Sequence, residues 1–267
     1  MECIIRPSAE AAVQLVARII EQELHVRPNS VLGLATGRTM ESVYANLARM
    51  HRDEKLDFSQ CCTFNLDEYV GLPANDPNSY RYYMNKHLFS EVNLDLRNTH
   101  LPDGMAADLE AACANFEKLI VQCGGIDLQL LGIGRDGHMG FNEPLSAFRS
   151  RTRVKALSPL TLAQNAPQFS SPEKVPRRAI TMGVATILDA RRCLLLATGA
   201  DKAEIVAQAV EGPMTSMVSA SALQLHPRCV VVLDEAAAGR LKQADYYRWI
   251  FENEPEWKPF RTGQPGK

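Results

Sequence analysis

The sequence predicts one α/β domain built on an open, mostly parallel sheet, with helices on both faces and a covering segment over its ligand edge. Three observations carry this. Short apolar runs of strand length recur at 30–35, 61–64, 126–131, 193–197 and 229–233, and most are separated by stretches with helical apolar spacing. Each run gives way at once to polar or glycine residues, which places a ligand beyond the carboxyl ends of parallel strands. No linker, repeat or low-complexity block divides the 267 residues, enough for a large core without staples.

Taken in order, apolar residues at 12, 15, 16, 19 and 20 form one helical stripe with Ser8 placed to cap it. After Pro28 and Asn29, the run SVLGLA reads as a buried strand leading to Thr36, Gly37, Arg38 and Thr39, with a helix over 40–51. A strand, a small-residue turn with hydroxyls and a helix start is how α/β proteins hold phosphate on backbone N–H groups. The nucleotide-binding spacing G-x-x-x-x-G-K-[ST] is absent, so nothing here requires ATP. The next strand reads CCTFNLDEYVGL and ends in Asp67 and Glu68. Adjacent residues of a strand point to opposite faces, so one of the two carboxylates faces a given cleft, and the sequence leaves open which.

A helix is expected over 108–122, and then comes the stretch IDLQLLGIGRDGHMGFNEP at 126–144. Its glycines at 132, 134, 137 and 140 let the backbone turn sharply around Asp136, His138 and Glu143, one imidazole and two carboxylates able to move protons. A dinucleotide loop is rejected despite the literal G-x-G-x-x-G match. Gly140 and Pro144 interrupt any helix, and 151–160 lacks the acid expected about 20 residues on. Residues from about 145 to 182 carry little apolar periodicity and several prolines, the character of a lid. The run CLLLA leads into Asp201 and Lys202, a helix from there ends at Gly212 as C-cap, and CVVVL closes the sheet. Residues after about Trp257 are basic and Gly/Pro-rich and are expected to be disordered.

A net charge of −2 argues against nucleic acid or an anionic membrane as the main partner and favours small molecules. The seven cysteines are scattered, without a C-x-x-C pair, and read as reduced core residues of a cytoplasmic protein. No metal site is expected, since no Cys or His cluster has ligand spacing. What remains is a phosphate turn, a carboxylate at 67 or 68 and a His among carboxylates: acid/base chemistry on a small phosphorylated metabolite.

Several long segments resemble the glucosamine-6-phosphate deaminase family in that family's order: LGLATGRT at 32–39, TFNLDEYVGL at 63–72, GIGRDGHMGFNEP at 132–144, SRTRVKAL at 150–157 and AITMGVATILDA at 179–190. The resemblance implies a Rossmann-like sheet and conversion of glucosamine 6-phosphate to fructose 6-phosphate and ammonia without a cofactor. It implies Asp67 as the base at C2, and His138 as the ring-opening acid/base oriented by Asp136 and Glu143. It implies a phosphate site at Thr36, Gly37, Arg38, Thr39 and Lys202. Regulated members of that family bind the activator N-acetylglucosamine 6-phosphate with residues matching Ser146, Arg153 and Lys155, and the tyrosine a neighbouring subunit contributes aligns with Arg248 here, so a homo-oligomer is an expectation. Two departures stand out. The family usually has glycine or serine at Arg38 and proline at Met40, and the lid arginine that clamps the phosphate is replaced in the run Asn165, Ala166, Pro167, Gln168, Phe169.

Overall fold

The computed structural model describes residues 1–262. In chain order the elements are β1 (Glu2–Arg6), α1 (Ala9–Val26), β2 (Val31–Leu34), α2 (Arg38–Glu54), β3 (Cys62–Asn65), β4 (Asp67–Tyr69), α3 (Tyr80–Met84) and β5 (Thr99–His100). They continue with α4 (Leu109–Gln122), β6 (Leu128–Leu131), β7 (Arg153–Ala156), α5 (Pro159–Asn165), β8 (Arg178–Thr181), α6 (Val184–Leu188) and β9 (Cys193–Ala197). The chain closes with α7 (Ala203–Glu211), β10 (Cys229–Asp234), α8 (Ala244–Asn253) and α9 (Lys258–Thr262).

Seven strands form one sheet in the order β1-β10-β9-β6-β2-β3-β5, and every pair in it is parallel. The chain builds outward from β2 to β3 and β5, then reverses and builds through β6, β9 and β10. Right-handed crossovers put α1 and α2 on one face and α4 and α7 on the other, with the reversal between β2 and β6 opening a crevice at their carboxyl ends. The strands are apolar because both faces are covered: β2, β6, β9 and β10 are buried throughout.

The expected cap of α1 is present, and α4 starts in the same way. Ser8 accepts the Ala11 N–H at 3.2 Å to cap α1, and Asp108 accepts the Ala111 N–H at 2.9 Å to cap α4. Gly212 ends α7, but in an extended conformation with φ −79°. Close packing, and not a left-handed turn, explains the glycine, since a Cβ there would lie 2.4 Å from the Gln208 carbonyl oxygen.

The segment expected as a lid contains more regular structure than its composition suggested. Strands β7 and β8 pair antiparallel with each other, and β8 pairs antiparallel with β4, making a second sheet of three strands. Helix α5 lies beyond them. The chain passes from the large sheet into the small one at Leu66, whose N–H donates to Leu34 O at 3.0 Å and whose carbonyl accepts the Met182 N–H at 2.7 Å. The tail also differs from expectation over 258–262, which is helical. Trp257 is buried and its indole N–H donates to Glu2 at 2.9 Å, so the segment is pinned to the first strand. Residues 263–267 lie outside the described residues.

Asp127 ties β2 to β6 from within. Its buried carboxylate accepts the Val31 N–H at 2.8 Å and pairs with both Arg27 and Arg191. Asp127→Ala strands one buried backbone donor and two guanidiniums, so thermal and denaturant unfolding should show a loss of about 2–4 kcal/mol. Asp127→Asn should recover part of it by keeping the Val31 bond.

Candidate active site

The carboxyl ends of β2, β3, β6 and β9 converge on a cavity of about 860 Å³, a volume suited to a small metabolite. Thr36, Gly37, Arg38, Thr39, Asp67, His138 and Lys202 all line it. The other two expected catalytic groups, Asp136 and Glu143, stand behind His138. Ligand atoms of Asp136, His138 and Glu143 lie within 4.8 Å of one another.

Gly37 caps α2 with φ 124°, a conformation glycine adopts without strain, and no side chain caps this end. The first amides of a 17-residue helix therefore point at the cavity without a side-chain partner, a ready anion seat. The Tyr83 hydroxyl fixes the turn by donating to Gly37 O at 2.8 Å. Across the cavity Lys202 donates from Nζ to Ile133 O at 2.8 Å, so one cation braces the glycine loop and faces the same space. Burial pulls its pKa below the ordinary lysine value.

The alternation in β4 separates the two acids. Glu68 turns away and accepts the N–H groups of Tyr69, Tyr80 and Arg81 at 2.8, 3.0 and 2.9 Å, holding the first turn of α3. Asp67 faces the cavity, is 5% exposed, and receives no hydrogen bond from any of the described residues. Burial, reinforced by the charge of Glu68, pushes its carboxyl up to about 8. Gly140 permits this approach: at φ 58°, a Cβ there would sit 2.9 Å from Thr181 Oγ1 and 3.2 Å from Asp67 Oδ2.

His138 packs against the backbone of Gly134, where a Cβ would fall 2.3 Å from the imidazole. Its Nδ1 lies 2.6 Å from Asp136 Oδ1, close but out of line for a good hydrogen bond. Glu143 is buried; Oε1 accepts the Ser158 N–H at 3.0 Å, while Oε2 has no partner among the described residues. A buried carboxylate oxygen left open beside an imidazole is available to a ring N–H that turns toward it.

The segment expected as a lid forms a wall of the cavity, through side chains that were not among the expected site residues. Thr161, Gln164, Asn165 and Gln168 line the cavity from α5 and the turn after it, and the Asn165 amide donates to the Tyr69 hydroxyl at 2.8 Å. Composition and the resemblance both pointed to this segment but not to its contacts, which join residues far apart in the chain. Ser146 and Arg153 are also brought together: Arg153 donates to Ser146 Oγ at 3.1 Å and to Asn142 Oδ1 at 2.9 Å, with Lys155 next on the same face of β7. Arg153 lines a second cavity of about 910 Å³ between α4 and β7, away from Asp67. The expectation of no metal-ligand cluster rested on local spacing. The fold brings together Asp136, His138 and Glu143, and separately Cys62, His100 and Cys123.

Comparison with known proteins agrees with this geometry. Residues 6–232 match the family described as glucosamine-6-phosphate isomerases/6-phosphogluconolactonase. A glucosamine-6-phosphate deaminase of Cellvibrio japonicus is 48% identical over 250 residues, covering 94% of this chain and 95% of the relative. One of Arthrobacter sp. strain FB24 is 48% identical over 258 residues, covering 97% and 99%. The solved structure of a monomeric glucosamine-6-phosphate deaminase superposes with a TM-score of 0.88 at 44% identity, over 90% of this chain and all of that one. This chain is a member of the glucosamine-6-phosphate isomerase and 6-phosphogluconolactonase family.

Proposed function

We propose that this chain is an enzyme that converts glucosamine 6-phosphate and water to fructose 6-phosphate and ammonia. One observation carries the choice within the family: a buried carboxyl without donors, Asp67, faces a cavity whose opposite end offers an anion seat. Lactone hydrolysis needs water delivered to an ester carbonyl, whereas aldose–ketose isomerisation needs a group that takes a carbon-bound proton and returns it to the neighbouring carbon.

In this reading the phosphate sits on the Thr36–Thr39 amides with Lys202 and Arg38. His138 moves a proton between the C1 hydroxyl and the ring oxygen, opening the sugar, while Asp136 and Glu143 hold the imidazole as a triad carboxylate does. Asp67 removes the C2 proton, and O1 takes a proton from His138, which gives an enolamine. Asp67 then returns its proton to C1, making C1 a CH₂OH group and C2 an iminium carbon. Water adds to C2, ammonia leaves as the ketone forms, and the proton released in this step restores to His138 the one it gave to O1. Ser146, Arg153 and Lys155 are the proposed seat of an activator phosphate. Arg248 stands where the resembling family places a tyrosine, paired with Glu235 at 2.7 Å and Asp245 at 2.9 Å.

The pure protein should release ammonia from glucosamine 6-phosphate, and Asp67→Asn should lower kcat by at least about 10²-fold, the scale of a positioned base. Lactone hydrolysis without ammonia would reverse the assignment. Asp67 must be ionised to act and burial pushes its carboxyl up to about 8, so kcat/KM should rise with pH and level off above that value. The substrate amine favours the carboxylate, so the limb in kcat should lie lower than the limb in kcat/KM.

Arg38 replaces the cation that the lid lacks at Pro167, which lines the same cavity. A charge-assisted contact to a dianion contributes about 1.5–3 kcal/mol. Arg38→Gly should raise KM for glucosamine 6-phosphate about tenfold or more, and much less in a chain also carrying Pro167→Arg. A change within about twofold for Arg38→Gly alone would remove Arg38 from the site.

A further inference from the structure

Away from the catalytic cavity, the far edge of the large sheet gathers two thiols and an imidazole. Cys62 opens β3, His100 ends β5 and Cys123 is the C-cap of α4. The two Sγ atoms are 3.7 Å apart, and each pair of ligand atoms among the three residues lies within 4.8 Å. All three are half-buried, so solvent reaches the group. The imidazole is held in place: its ring packs on Phe64 with centroids 4.8 Å apart, and Phe64 meets Phe116 of α4 edge-on at 5.5 Å. Register explains the meeting. Cys62 and Phe64 share the face that α4 covers, and His100 pairs with Phe64 across the β3–β5 ladder.

The spacing has a chemical meaning. Two thiolates bound to one tetrahedral Zn²⁺ at about 2.3 Å stand about 3.8 Å apart, and thiolate and imidazole about 3.6 Å. A disulfide requires about 2.05 Å. Two sulfurs and one ring nitrogen are the donor set of thiophilic divalent cations, with water completing the tetrahedron. We propose that Cys62, His100 and Cys123 bind one Zn²⁺-class cation that clamps the C-terminal end of α4 to β3 and β5. The site takes no part in the reaction proposed above and does not depend on it.

The full-length protein, reduced and stripped with chelator, is titrated with Co²⁺ alone and then with Zn²⁺. Wild type should bind one Co²⁺ per chain with a thiolate-to-cobalt absorption band and tetrahedral d–d bands, and Zn²⁺ should bleach both. Cys62→Ser/Cys123→Ser should lose the thiolate band while retaining ammonia release, and His100→Asn should keep it with shifted d–d bands and at least about tenfold weaker binding. Cobalt at Asp136, His138 and Glu143 would give no thiolate band, so the two clusters are distinguished. If the double variant does not fold, Zn²⁺ should still shield two thiols per wild-type chain from a thiol reagent. Absence of a thiolate band in the reduced wild type, a band unchanged in the folded double variant, or no Zn²⁺ shielding would overturn the proposal.

Discussion

The dipeptide Asp67–Glu68 is buried where the large parallel sheet hands the chain to the small antiparallel one, and two adjacent buried carboxyls are costly unless each is accommodated differently. Glu68 is accommodated by three backbone N–H groups, that of Tyr69 in β4 and those of Tyr80 and Arg81 at the start of α3, and the last two bonds hold α3 against the sheet. Burial still leaves its pKa raised. Asp67 is given none of these donors, and burial sets its proton affinity near neutrality. The acid held by backbone donors and the acid left facing the cavity are therefore one residue apart, separated by the pleat of a strand.

Everything else at the cavity keeps that carboxyl dry and faced. The β2/β6 reversal opens the crevice, and the glycines of the β6 loop let His138 and Asp67 approach backbone where any side chain would intrude. The small sheet supplies the wall: Thr181 of β8 accepts the Phe141 N–H at 3.0 Å, fixing the residue after Gly140. Tyr69, Tyr80 and Phe141 pack together behind the acid, Tyr80 and Phe141 being stacked at 6.0 Å. An aromatic layer of this kind raises the penalty for an ionised carboxylate, and a bound substrate amine would offset it.

Much of this was legible in the sequence, and what was not has a physical reason. Runs such as Leu128–Leu131 and Cys193–Ala197 announce buried parallel strands, and Ser8 announces the start of α1, because those signals are local. The alternation argument established that Asp67 and Glu68 face opposite ways. Choosing between them from the residues alone needed the amides of Tyr80 and Arg81, whose position depends on the fold. Strands β7 and β8 were hidden because β7 is only partly buried and its polar residues carry no apolar run. The Cys62–His100–Cys123 group was hidden likewise, since strand pairing and a helix end, and no sequence spacing, bring it together.

Burial holds the Asp67 carboxyl in its protonated form until the pH approaches 8. Infrared difference spectra of wild type against Asp67→Asn, taken across a pH titration of the substrate-free protein, read that proton directly through the carboxyl C=O stretch. The account predicts a protonated-carboxyl band, absent from the variant, that disappears with a midpoint near 8. A midpoint near the ordinary aspartate value of about 4 would contradict it.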